Sequence, residues 1–295
     1  MATLYSQAES NVKRTWLLIT MFFVFVILIG WLFSYIFDSP SILYIAAGLS
    51  FAMSISSYWF SDKIVLSSTN ATLIEKKDNP EIYRLVENLC ISQGMPMPKI
   101  YILEQELQPN AFATGRDENH AVIALTQGLI NKLERVEIEG VIAHELSHIK
   151  NKDTLLQTAI VVLVGVIAII SDIFLRSGFR RRNNDDNNNG IFIILGVIAA
   201  IFAPIAANII KAALSRQREF LADASGALMT RYPEGLASAL QKISSDNNPM
   251  IKANSSNAHL FIASPFRGNN MVSRLFMTHP PVEERIKALM GMKIQ

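Results

Sequence analysis

Within a chain of 295 residues, the five residues from His144 to His148, reading H-E-L-S-H, have types and spacing that can do chemistry. They lie in an apolar run, 141–149, that has neither Gly nor Pro and favours helix. On a helix of about 3.6 residues per turn, positions i and i+4 stack on one face, so His144 and His148 can address a single metal ion. Glu145 stands about 100° round the axis from His144, placed to reach a water held by the metal rather than the metal itself. Two neutral nitrogens as ligands and one carboxylate as general base are the requirements of a zinc peptidase. The pattern fixes only three residues and also arises by chance, so a third ligand has to decide.

Downstream, residues 216–226 read R-Q-R-E-F-L-A-D-A-S-G. Glu219 and Asp223 are again i and i+4. In a site of two histidines and one carboxylate, Glu219 is the third protein ligand. Asp223 would accept the other ring N–H of a ligating histidine and so fix its tautomer. A third histidine in the H-E-x-x-H-x-x-G-x-x-H pattern is excluded, because position 151 is Asn and 154 is Thr. The competing reading of Glu219 is a surface carboxylate paired with Arg216 or Arg218.

The elements that must position these residues follow from composition and periodicity. Half of the residues are hydrophobic, only 18% are charged, and the mean hydropathy is +0.26, which points to a membrane protein. A net charge of +2 gives no argument for nucleic acid as a partner. Cys90 is the single cysteine, so an intramolecular disulfide framework is excluded and a buried apolar thiol is expected. Residues 16–37 form an apolar run long enough to cross a hydrocarbon core of roughly 30 Å. No small-residue cleavage site follows it, which reads as an uncleaved anchor. A second run, 41–60, returns after Asp38-Ser39-Pro40, with Trp16, Trp31, Tyr58 and Trp59 near the ends of the pair as interfacial aromatics.

The fold class expected is therefore a mainly α integral membrane protein with a small β-sheet, four hydrophobic spans and a zincin-like α+β catalytic domain. Residues 1–62 are the first membrane hairpin, and 63–154 are the first part of the catalytic domain. In that part we expect a helix over 80–93 with Ile82, Leu85, Leu89 and Ile91 as its apolar positions. A strand at 98–104 and a hairpin over 110–125 follow. Thr126 then caps a helix through Leu133, and the helix bearing His144 starts near Glu134. Residues 155–213 are a second hairpin with a polar, low-complexity loop at 176–190. Residues 214–295 complete the catalytic domain, with helices over 238–244 and 281–290. If the ligand helices continue into the third and fourth runs, His148 and Glu219 both stand roughly 9–10 Å outside the bilayer at 1.5 Å per residue. Two intervening spans then return the chain to one face, which makes the long gap between ligands workable.

Four segments, in chain order PNAFATG (109–115), HELSHIKNKD (144–153), REFLAD (218–223) and THPPVEERI (278–286), resemble the gluzincin-type membrane metallopeptidases, which include the HtpX heat-shock proteases and the CAAX prenyl proteases. The likeness covers about two-thirds of the chain, and its size and span pattern are nearer the HtpX type. The resemblance implies a zinc endopeptidase, one Zn2+ per chain, acting on misfolded or damaged membrane proteins or unfolded polypeptides in stress-response quality control. The alternative is a site-specific processing peptidase related to the CAAX proteases, which sharp sequence specificity would mark. It further implies that the strand with Asn110, Ala111 and Phe112 is a substrate-binding edge, Asn110 and Ala111 pairing through their backbone with an extended peptide. His279 and Arg285 match the family's C-terminal motif, with oxyanion stabilisation open to either and a loop-holding role also open to His279. His120 and His259 have no such match and are expected to be structural or exposed.

Lys13 and Arg14 ahead of the first run argue for a cytoplasmic N-terminus, and hence a multi-pass protein of the inner (plasma) membrane with a cytoplasmic catalytic domain. Lys63, Lys76, Lys77, Lys150, Lys152, Lys211, Arg216 and Arg218 agree. Arg176, Arg180, Arg181 and Arg182 fall on the far side and disagree. The lipid bilayer is a partner in either case, and nothing in the sequence specifies an oligomeric state.

Overall fold

The computed structural model describes residues 4–36, 38–163, 216–253, 257–265 and 279–292. Two long helices lead the chain, α1 (Leu4–Ile36) and α2 (Pro40–Trp59). Glu9–Leu28 and Pro40–Trp59 are long and apolar enough to cross a membrane by length and composition. The chain reverses through Asp38 at φ 47. Pro40 starts α2 at a position whose N–H would have no helical partner anyway. The pair packs closely, since a Cβ on Gly30 would fall 2.3 Å from that of Ala46. Leu17, Met21, Val24, Tyr44, Ile45 and Phe51 face outward, as side chains against lipid would. At one end Trp16 stacks on Tyr58 at 5.4 Å, and Tyr58 meets Trp59 edge-on.

Beyond α2 come α3 (Ser61–Thr69) and β1 (Thr72–Leu73). Helix α4 (Pro80–Gln93) is capped by the Asn79 side chain on the Ile82 N–H and ended by Gly94 at φ 62. It buries Ile82, Leu85, Val86, Leu89 and Cys90. Ile91, expected on that face, is 74% exposed. Nine residues beyond Ile82 is about half a turn round the axis, and the next position back, Cys90, takes the buried place.

Strands β2 (Lys99–Leu103), β3 (Ala111–Thr114) and β4 (Val122–Thr126) complete a mixed sheet of order β1-β2-β4-β3. The β3–β4 hairpin is antiparallel with Ala111 opposite Leu125, and β2 runs parallel to β4. The Thr126 hydroxyl caps α5 (Gln127–Lys132) on the Leu129 N–H at 3.1 Å. Glu134 and Glu137 form a reciprocal capping box that starts α6 (Arg135–Lys150). Glu137 also accepts from Lys242 at 2.8 Å, tying α6 to a later helix.

Helix α6 does not run on into the third apolar run. It ends at Asn151, Lys152 turns through φ 56, and α7 (Asp153–Leu163) begins afresh. The condition on which the 9–10 Å spacing of His148 from the bilayer rests, a helix continuing from α6, is not met. The rest of the third run, the loop 176–190 and the fourth run 191–213 lie outside the described residues. Among those described, the membrane-length helices are two. The chain resumes with α8 (Arg216–Thr230) and α9 (Pro233–Ser245), the latter reaching further back than 238 because Pro233 sets its first turn. Helix α10 (Val282–Met290) closes the domain. One core, with Val141, Ile142 and Leu146 of α6 at its centre, joins the sheet to α4, α8, α9 and α10.

Candidate metal centre

Helices α6 and α8 approach so closely that a Cβ on Gly226 would lie 2.9 Å from the His144 backbone nitrogen. Glu219, Ala222, Asp223 and Gly226, spaced at i, i+3, i+4 and i+7, are the buried face of α8. This contact carries Glu219 to the two histidines across the sequence gap. Its Oε1 lies 3.7 Å from His148 Nε2, its Oε2 lies 3.8 Å from His144 Nε2, and the two Nε2 atoms are 3.2 Å apart. Atoms each about 2.0–2.2 Å from one ion sit at most about 4 Å from one another. Each Nε2 has a Glu219 oxygen within that reach, and one donor atom from each of the three residues lies within 4.8 Å of the others. Glu219 is 2% exposed, so the surface ion-pair reading falls.

The chemistry of the donors also fits a cation. His144 Nδ1 is 2.9 Å from Asp223 and His148 Nδ1 is 3.0 Å from Asp153. If each Nδ1 donates its proton to its carboxylate, each Nε2 presents a lone pair, and the two lone pairs face one another. Opposed lone pairs at this distance call for a positive charge between them. The surrounding field supplies the same preference. Burial disfavours charge on His148, yet Asp153, Glu219 and Glu145 outweigh it and push its pKa up to about 9. Burial opposes the Glu219 carboxylate as well, but His279, His148 and Arg285 hold it well below the usual range. His144 goes the other way, to about 4, because burial dominates there. Among the described residues, His144, His148 and Glu219 are the His, Cys, Asp or Glu group able to hold a metal.

Asp223, expected beside a ligating histidine, stands there. Burial works against its charge, but Arg285 and His144 bring its pKa to about 2. Arg285 is fully buried and forks onto Asp223, Nε to Oδ2 at 2.8 Å and Nη2 to Oδ1 at 2.6 Å, while Nη1 donates to the Ile262 carbonyl at 2.9 Å. His279 comes within 3.0 Å of Glu219 Oε2 through Nδ1. Both C-terminal candidates are thus brought to the cluster. His120 is instead exposed against Asp117, and buried His259 lies 3.1 Å from the Gln157 carbonyl.

Glu145 is 2% exposed, and burial raises its carboxyl to about 7. The Ala113 amide of β3 donates to it. Strand β3 is the sheet's edge, and alternate residues turn their backbone outward. The expectation for Asn110 and Ala111 needs correction here. The Asn110 N–H and C=O both turn inward to Thr126, and the Ala111 carbonyl already accepts the Ile262 N–H at 2.9 Å. The Asn110 side chain donates to the Ala263 carbonyl at 3.0 Å, and Phe112 packs edge-on against Phe261 in the core. These three residues hold the edge, and Ala113 is the one that meets Glu145.

Sequence reasoning missed two residues. Asp153, the partner of His148, lies beyond the helix end, where the register of α6 no longer applies. Arg218 is buried beside it, Nη1 at 3.7 Å, rather than flanking the membrane.

The profile of "Peptidase family M48" matches residues 76–293. The chain belongs to peptidase family M48. Two relatives called "Protease HtpX homolog" resemble this M48 chain over nearly its full length. That of Caldanaerobacter subterraneus subsp. tengcongensis is 43% identical, covering 99% of both chains, and that of Pyrococcus furiosus is 45% identical, covering 94% of both. The crystal structure of S. mikatae Ste24p shares the fold with a TM-score of 0.50 at 18% identity, over 97% of this chain and 66% of that one. This M48 protein is a membrane metallopeptidase, a hydrolase in which His144, His148 and Glu219 form the donor triad.

Proposed function

We propose that this M48 peptidase is a zinc-dependent endopeptidase of the inner membrane, cleaving misfolded or damaged membrane proteins on the cytoplasmic side. The observation that carries the reading is the meeting of five groups at one buried point. They are the His144, His148 and Glu219 donors, the Glu145 carboxylate and the outward backbone of edge strand β3. Two imidazoles and a carboxylate suit zinc. A zinc ion held there supplies Lewis acidity toward water and the scissile carbonyl.

Glu145 accepts the proton of the attacking water and returns it to the leaving amine. An extended peptide lies along β3 near Ala113, paired through backbone hydrogen bonds, with Asn110, Ala111 and Phe112 fixing the strand beneath it. Asp223 orients His144, and Arg285 orients Asp223. Arg285, with Nη2 3.5 Å from His144 Nε2, and His279, with Nδ1 3.0 Å from Glu219, both reach the centre, and either can stabilise the developing oxyanion. Support for membrane substrates comes from the foot of α1, where buried Asn11 touches Asp153 at 2.7 Å, so the centre sits against the hairpin. Lys13 and Arg14 beside that foot support the cytoplasmic orientation.

The test is cleavage by the full chain in proteoliposomes. A destabilised membrane protein should be cut at many bonds, its folded parent should survive, and a chelator should stop the reaction. Cleavage at one defined bond in a folded target would replace this reading with a processing peptidase.

A further inference from the structure

Asn11 is 3% exposed near the start of α1, a helix that turns Trp16, Leu17 and Met21 outward. Its amide is fully committed. Nδ2 donates to Asp153 Oδ1 at 2.7 Å and to the Asn151 carbonyl at 3.0 Å, and Oδ1 accepts from Arg218 Nη1 at 3.5 Å. The partners dictate this orientation, since a guanidinium only donates while a carboxylate and a carbonyl only accept. The other oxygen of Asp153 takes His148 Nδ1 at 3.0 Å. One buried carboxylate therefore connects a metal-centre histidine to the first membrane helix.

We propose that Asn11 is a positioning residue for the metal centre, fixing Asp153 and through it the His148 ring. Helix α1 is then a working part of the site as well as an anchor. A carboxylate held by His148 alone can rotate away. Arg218 Nη1, 3.7 Å from Oδ1, is beyond hydrogen-bond length, so the 2.7 Å bond from Asn11 is the short tether. Asn11 also holds the Asn151 carbonyl, at the turn where Lys152 adopts φ 56 and the chain swings Asp153 back toward His148. The inference rests on the reading that His144, His148 and Glu219 hold a metal.

The test measures zinc affinity of the full chain in detergent by competition with a chelator. Changing the partner of a metal-bound histidine costs roughly 10–100-fold in affinity, and Asn11 stands one layer further out. Asn11→Leu should weaken binding about tenfold, the low end of that range. Asn11→Ser is measured beside it, so that a folded variant is read in either case. Thr15→Val should bind like the parent, because the Thr15 hydroxyl bonds only the Asn11 carbonyl within α1. On an Asp153→Asn background, Asn11→Leu should cost nothing more, since its effect passes through Asp153. Parental affinity in both Asn11 variants would overturn the proposal, as would multiplying losses in the double variant or an equal loss in Thr15→Val. A parent chain that binds no zinc would overturn the metal reading instead.

Discussion

Burial makes Glu145 a base that titrates near neutrality, at about 7, and a cation beside it moves that value downward. Only the carboxylate form accepts a proton. The kcat/KM of the zinc-loaded enzyme should therefore fall as pH drops, through an apparent pKa no higher than about 7, and stay level above it. Glu145→Gln should remove this limb with the activity, a loss of at least about 100-fold, while metal content stays that of the parent. An active Glu145→Gln protein would remove the residue from the chemistry. The second residue-scale prediction concerns Asp223, whose folded pKa of about 2 is below its ordinary 3.8. A lowered folded value means that its stabilisation is full above 3.8 and is lost as pH falls through about 2. Arg285→Leu leaves this carboxylate buried without its fork, at a cost of about 3–5 kcal/mol. The acid unfolding transition, followed by circular dichroism, should then move to higher pH. An unmoved transition would show that Arg285 does not hold Asp223.

At the scale of elements, the site is a helix crossing. Gly226 lets α8 lie against α6, and its Cβ as alanine would meet the His144 nitrogen at 2.9 Å and its Cα at 3.1 Å. Gly226→Ala should push the helices apart, lower the melting temperature and weaken metal binding together. Unchanged zinc affinity would show that the crossing has slack. Much of this arrangement is legible in the sequence, because i and i+4 spacing inside one helix is local information. That is why His144, His148, Glu219 and Asp223 could be read before the fold was known. The rest depends on backbone that side-chain types do not announce. Lys152 takes a left-handed conformation without being Gly or Asn, so the break after α6 and the return of Asp153 were hidden. Strand β3 reads correctly as a hairpin strand with Ala111 and Ala113 both turned outward, but the Ala111 carbonyl is taken by the distant Ile262 N–H, which no local pattern announces, and Ala113 meets Glu145. Helix α3 shows no apolar period of its own and was not foreseen.

For the whole molecule, the membrane hairpin and the catalytic domain meet at the metal centre. The apolar runs at 16–37 and 41–60 announce the hairpin, whereas the contact of Asn11 with Asp153 spans 142 residues and leaves no sequence pattern. Orientation is tested with the lone thiol removed. Cys90 is buried in the apolar core and its thiol is pushed up to about 11, so Cys90→Ala removes it without burying a hydroxyl. On that background, Lys77→Cys at an exposed position should react with a membrane-impermeant maleimide only after cells are opened. Labelling in intact cells would reverse the orientation. The central claim, that two helices bring three donors to one ion, is tested most directly by metal content. Purified full-length parent and Glu145→Gln should each carry about one zinc per chain, the coordination of a closed two-histidine, one-carboxylate set. His144→Ala, His148→Ala and Glu219→Ala should each lose it. Full zinc occupancy in Glu219→Ala would contradict the account.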